Sequence, residues 1–197
     1  MRRVLVAVAV LASLGLSALP AHAAVQVKIE DFFFTPSKLA VAEGSAVTWH
    51  YDNSGTTHHT STQDGPLALW NTGFLFPGQT SAPVVLKAAG TYPYHCAVHA
   101  SMVGIIRVPI RVSPITGTTS TTFTIRLATA KQTGIAYDIQ KRKGAGAWKA
   151  WKTGVTALLV RFTHPAGGGT WRFRSRVHRI SNGARSGWSP ARKITIS

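Results

Sequence analysis

The 197-residue chain has one cysteine, Cys96. No disulfide can therefore form within it, and its stability must come from buried surface and hydrogen bonds. Acidic residues are also scarce: six Asp and Glu stand against 22 Lys and Arg, a formal net charge of +16. Beyond residue 114 the only carboxylate side chain is Asp138, which excludes chemistry by paired carboxylates in that half. After residue 23 no apolar run approaches the roughly 18 residues of a membrane-spanning helix. Neither half shows sustained helical periodicity, so a helical bundle is excluded as well.

What is present begins with an export signature. Residues 1–23 carry a short basic start (Arg2, Arg3), an apolar stretch from Val4 to Leu16, a break at Pro20, and Ala21-His22-Ala23 ahead of Ala24. This is the layout of a cleaved secretory signal peptide. An exported product, periplasmic, extracellular or attached to the cell surface, is expected, by an export route that the residues leave open. In such a compartment a leftover cysteine means intermolecular pairing, a reactive thiol or a bound metal.

Charge divides the remaining chain. From Ala24 to Ser113, five basic residues balance five acidic ones, whereas from Pro114 to Ser197 fifteen basic residues face Asp138 alone. The stretch SPITGTTSTT between the halves has linker composition. The expected organisation is a signal over 1–23, a first domain over 24–113, a linker over 114–120 and a basic domain over 121–197. Short extended runs such as VQVKI, AVTWHY and GTYPYH, then IAYDIQKR and TWRFRSRV, alternate with Gly, Pro, Asn and Asp clusters. That spacing predicts an all-β protein of two sandwiches in series.

The lone cysteine sits in TYPYHCAVHASMVG, where Cys96, His99 and Met102 follow a C-x2-H-x2-M spacing. A strand end and a tight loop can bring a thiolate, an imidazole and a thioether to one point. Soft sulfur with imidazole favours copper, and two His, one Cys and a long axial Met describe a type 1 site. The second imidazole must come from His58 or His59, in TTHHTST. Adjacent strand residues face opposite ways, so only one of the pair can reach the metal.

The first domain closely resembles the cupredoxins of the amicyanin and plastocyanin type. The resemblance rests on DFFFTP, VTWHYDN, HTST, WNTGFLFPGQT, GTYPYHC and the H-x2-M-x-G-I-I-R-V run, in that order. It implies a Greek-key sandwich carrying one electron on one copper ion, Cu(I) or Cu(II), with ligands at His59, Cys96, His99 and the axial Met102. It also implies a redox partner protein docking near His99 on a rim of Leu75, Phe76, Pro77, Ala97, Val98 and Ala100, with Asn53 near the thiolate. His95 and His50 are expected to be ordinary strand residues, and His164 and His178 are not expected to bind metal. A copper oxidase would need His-x-His pairs, and a binuclear copper site a second cysteine; neither is present. The protein is therefore expected not to be an enzyme and to have no small-molecule substrate. A copper-binding, storage or copper-handling protein without electron transfer stays open as the alternative.

In TWRFRSRVHR, Trp171, Phe173, Ser175 and Val177 take one strand face and Arg172, Arg174, Arg176 and His178 the other. Together with YDIQKRKGAGAWKAW and SGWSP, this resembles a fibronectin type III or related immunoglobulin-like module. The expected partner of residues 121–197 is an anionic cell-envelope polymer or membrane surface, ahead of nucleic acid.

Overall fold

The computed structural model describes residues 24–52, 55–164 and 166–197; the expected leader and Asn53 lie outside them. The regular elements among the described residues are all strands. In the first half these are β1 (Val25–Glu30), β2 (Phe33–Thr35), β3 (Lys38–Ala40), β4 (Ala46–Tyr51), β5 (Thr62–Gln63), β6 (Val84–Val85), β7 (Gly90–His95) and β8 (Val103–Val108). They form two four-stranded sheets, in the orders β2-β1-β4-β6 and β3-β8-β7-β5.

Alternation decides which face of each strand is buried. In β4, Val47, Trp49 and Tyr51 are buried while their neighbours are partly exposed, and in β7 Tyr92 and Tyr94 are buried. Trp49 stacks on Trp70 at 5.8 Å between ring centroids and meets Tyr94 edge-on at 5.6 Å. Gly104 of β8 faces Tyr94 across the ladder, and a Cβ there would come within 2.2 Å of the tyrosine ring. Only glycine lets the two strands pair with that ring folded across them, two residues before Cys96.

The second half contains β9 (Arg111–Ser113), β10 (Thr116–Gly117), β11 (Phe123–Arg126), β12 (Ile135–Lys143), β13 (Lys149–Val155), β14 (Leu159–Phe162), β15 (Gly169–Arg179) and β16 (Arg192–Ile196). The sheets run β14-β11-β9 and β10-β16-β15-β12-β13, and Phe123, Ile125, Tyr137, Ile139, Phe173 and Ile194 are buried. The changeover in sheet pairing falls a few residues before the composition shift at 114. Arg111–Ser113, placed in the first domain on charge, pairs antiparallel with β11, and Thr116–Gly117 of the expected linker pairs with β16.

The two halves are bonded to one another. Thr91 of β7 exchanges both backbone hydrogen bonds with Gly187, at 3.0 and 2.9 Å, and its hydroxyl donates to the Trp188 carbonyl at 2.8 Å. The Arg179 guanidinium donates to the Leu67 carbonyl, and the Asn182 amide donates to the Pro66 carbonyl at 3.0 Å.

Two buried acids show opposite solutions to desolvation. Asp138 accepts from Arg176 and Arg185, each at 3.0 Å, and from the Gly154 N–H at 3.2 Å. Burial alone would raise its carboxyl, yet these donors hold it below the ordinary value. Glu43 has no such partners: both its oxygens are buried without a hydrogen bond. Burial pushes its carboxyl from 4.5 up to about 7, against the charges of Arg111 and Arg126. The unfolded chain ionises first, so Glu43 contributes a loss of stability that develops as pH rises from about 4.5 to about 7. Glu43→Gln keeps the side chain neutral. In denaturant titrations it should exceed the parent by up to about 3 kcal/mol at pH 8 and match it near pH 4; an offset independent of pH would contradict this.

Candidate metal centre

The segment between β7 and β8 is built to converge. The Cys96 N–H donates to the Met102 carbonyl at 2.9 Å, and the Met102 N–H donates to the His99 carbonyl at 2.9 Å. These bonds fold residues 96–102 into a closed turn, with Cys96 and Met102 fully buried and His99 half-buried. His59 arrives from the other side. It is locked by reciprocal bonds with Leu75, its N–H donating at 3.0 Å and its carbonyl accepting at 2.8 Å. Thr60 ties the two segments together, because its N–H donates to Cys96 Sγ at 3.3 Å and its hydroxyl accepts from the Ala97 N–H at 2.8 Å.

Three donor atoms therefore meet. Cys96 Sγ lies 3.7 Å from both His59 Nδ1 and His99 Nδ1, and the two nitrogens are 3.1 Å apart. The point equidistant from the corners of that triangle is about 2 Å from each, against first-row metal bonds of about 2.0–2.1 Å to imidazole and 2.3 Å to thiolate. The residues fit a metal ion. With Met102 buried beside them, the two histidines and the cysteine complete the donor set typical of a type 1 copper site.

His58 and His59 separate as alternation requires. His59 is fully buried in the cluster, while His58 packs edge-on against Phe74 at 4.7 Å between ring centroids. His95 bonds Asp64 at 2.5 Å, His50 bonds Thr80 at 2.9 Å, His178 lies 3.4 Å from Asp138, and His164 packs on Phe162 and Trp171. Of the expected rim, Phe76 and Val98 are 52% and 41% exposed, whereas Leu75 is buried beneath it at 5%. Its bridge to His59 turns that side chain inward.

A family model described as a cupredoxin-like domain matches residues 3–108, more than half of the chain. The chain belongs to the cupredoxin-like family. Among solved structures, a reduced proline-to-phenylalanine variant of amicyanin is 27% identical, with 44% of this chain and 82% of that one covered and a TM-score of 0.39. A reduced Cu(I) form of a second amicyanin variant is 26% identical, covering 45% and 84%, with a TM-score of 0.40. A copper-containing nitrite reductase from Thermus scotoductus SA-01 is 25% identical, covering 49% of this chain but 24% of its own, with a TM-score of 0.41. No curated protein matches the sequence.

This cupredoxin domain adds features that no sequence pattern announced. The turn between β1 and β2 puts Asp31 and Phe32 against the centre. Asp31 Oδ1 accepts from the Tyr51 hydroxyl at 2.6 Å and stands 3.7 Å from His59 Nε2, which is buried with no hydrogen-bond partner. Because Nδ1 faces Cys96, Nε2 is left to carry the ring proton, and the carboxylate is the charge facing it. Burial, then the neighbouring His99, holds the His59 imidazole below its ordinary value, with Asp31 opposing. Phe32 has φ 71°, an uncommon backbone for a bulky residue, and its ring meets His99 edge-on at 5.0 Å. A negative charge behind a ligand favours the more oxidised metal. Asp31→Asn in the copper-loaded protein should keep the visible spectrum and raise the reduction potential by tens of millivolts, read by voltammetry. An unchanged potential would show that solvent screens Asp31 completely.

Proposed function

We propose that the protein is an exported carrier of single electrons, held at an anionic surface by its basic second half. The observation that carries this reading is the rigid triangle of His59, Cys96 and His99 under an apolar surface. Bound copper supplies a one-electron couple, Cu(II)/Cu(I). The chain's own part is to keep its donors still. The His59–Leu75 bridge, the Thr60 bonds and the closed turn over residues 96–102 fix all three before any metal binds. Little rearrangement then opposes electron transfer.

Phe32, whose ring meets the half-buried His99 edge-on, is 55% exposed, Val98, next to His99 in sequence, is 41% exposed, and Phe74 and Phe76, which pack on His58, are 59% and 52% exposed. Exposed aromatic side chains in such number are uncommon unless a partner covers them. They are the surface on which a redox partner protein would seat, bringing its own centre near the His99 edge.

The second half, with its strand pattern and arginine-rich face, reads as a fibronectin type III-like attachment module. Its fifteen basic residues against one buried acid favour an anionic envelope polymer over nucleic acid.

Adding Cu(II) to the protein should produce an intense red-absorbing thiolate-to-copper band, lost in Cys96→Ser. Voltammetry should be reversible for the parent. A colourless product would overturn the type 1 site, and an irreversible couple would favour the copper-storage alternative.

A further inference from the structure

The basic half carries a concave site at the hairpin between β12 and β13. A cavity of about 360 Å³ is bounded by Lys141, Arg142, Lys143, Lys149, Trp171 and the small turn residues. Every polar side chain there is a donor, and no carboxylate borders it. Asp138, the only acid in this half, is committed to Arg176 and Arg185. One donor of a cavity residue, Trp171 Nε1–H, is buried without an acceptor, and register places Lys141, Lys143 and Lys149 on the same face of the sheet as Trp171. Buried donors in native folds nearly always have an acceptor, so this N–H calls for one that the chain does not supply.

Like charges are also held together here. Lys141 Nζ lies 5.1–5.3 Å from the ring centroids of Trp151, Phe162 and Trp171, and burial, then Lys152, holds its ammonium below the usual lysine range. The Arg142 guanidinium sits 4.6 Å from the Trp148 ring, which also carries Arg174 at 4.3 Å. Stacking on indole rings fixes these cations before any ligand arrives, which lowers the ordering cost of binding.

We propose that this cavity binds one anionic saccharide unit of an envelope polymer, a sugar ring bearing a carboxylate or a phosphate. The site rests on the reading of the second half as an attachment module, and locates the attachment. The acidic group is matched by Lys143 and Lys149, and a sugar oxygen offers the acceptor that Trp171 lacks. The volume is near the lower end for ligand sites and suits a single ring, whereas a base-paired duplex cannot enter. The hairpin loop carries Gly144, Ala145, Gly146, Ala147 and Trp148, and its one large apolar side chain is engaged by Arg142 and Arg174.

The test uses the full-length, copper-loaded protein with two probes, polygalacturonate for a carboxylate and poly(glycerol phosphate) for a phosphate, titrated at low and moderate salt. The double variant Lys143→Ser with Lys149→Ser should weaken binding to the preferred probe at least tenfold. A control of equal charge change at exposed positions, Lys131→Ser with Arg161→Ser, should cost less than about twofold. Trp171→Phe keeps the ring and removes the N–H, and should weaken binding about threefold while leaving near-ultraviolet circular dichroism unchanged; it carries the test if the double variant does not fold. Equal losses in variant and control would overturn the cavity and leave attachment as a diffuse effect of charge. If the intact protein binds neither polymer at low salt, the attachment reading falls together with the site. Tighter binding to duplex DNA or to anionic vesicles than to both polymers would overturn the choice of occupant.

Discussion

The backbone bonds that close residues 96–102 are the constraint on which the metal centre depends. A cysteine, a histidine and a methionine at intervals of three would point in different directions on an extended strand. Donation from Cys96 to Met102 and from Met102 to His99 curls the segment so that one end of one sheet presents them together. The remaining imidazole comes from 37 positions earlier, and its placement relies on the fold: on the bridge to Leu75 and on Thr60, which bonds both the thiolate sulfur and the backbone beside it. Local geometry supplies three of the four donors and tertiary packing the fourth.

That division explains what was legible in the residues. The C-x2-H-x2-M run is local, so its convergence can be read directly. Alternation along His58-His59 allows only one ligand without saying which, and family resemblance pointed to His59, where the structure has it. Strand runs such as AVTWHY and GTYPYH show their buried faces by period alone. Asp31 and Phe32 could not be read in the same way, because their role depends on a turn that places a phenylalanine at positive φ. Family resemblance put Leu75 on the rim, and its inward direction follows only from pairing with His59. The edge strand Arg111–Ser113 was placed in the first domain because charge changes sharply at 114 while hydrogen bonding changes earlier.

The basic half handles its charge by geometry more than by pairing. One carboxylate takes two guanidiniums, and three cations, one of that pair included, lie over indoles: Arg174 and Arg176 over Trp188 at 5.0 and 4.4 Å, and Arg142 and Arg174 over Trp148. Cation–π stacking stabilises each by an amount comparable with a weak hydrogen bond, and it keeps the nitrogen-rich edges in fixed positions. Trp148 and Trp188 thus serve as supports for arginine.

The attachment between the halves has a mechanical corollary. Thr91, whose backbone is zipped to Gly187 and whose hydroxyl reaches Trp188, lies on the same short strand that ends immediately before Cys96. Pulling the halves apart would strip partners from the ribbon that delivers the thiolate. The cupredoxin half is therefore no detachable cartridge on a swinging tether: its heading relative to the second half is set by these bonds.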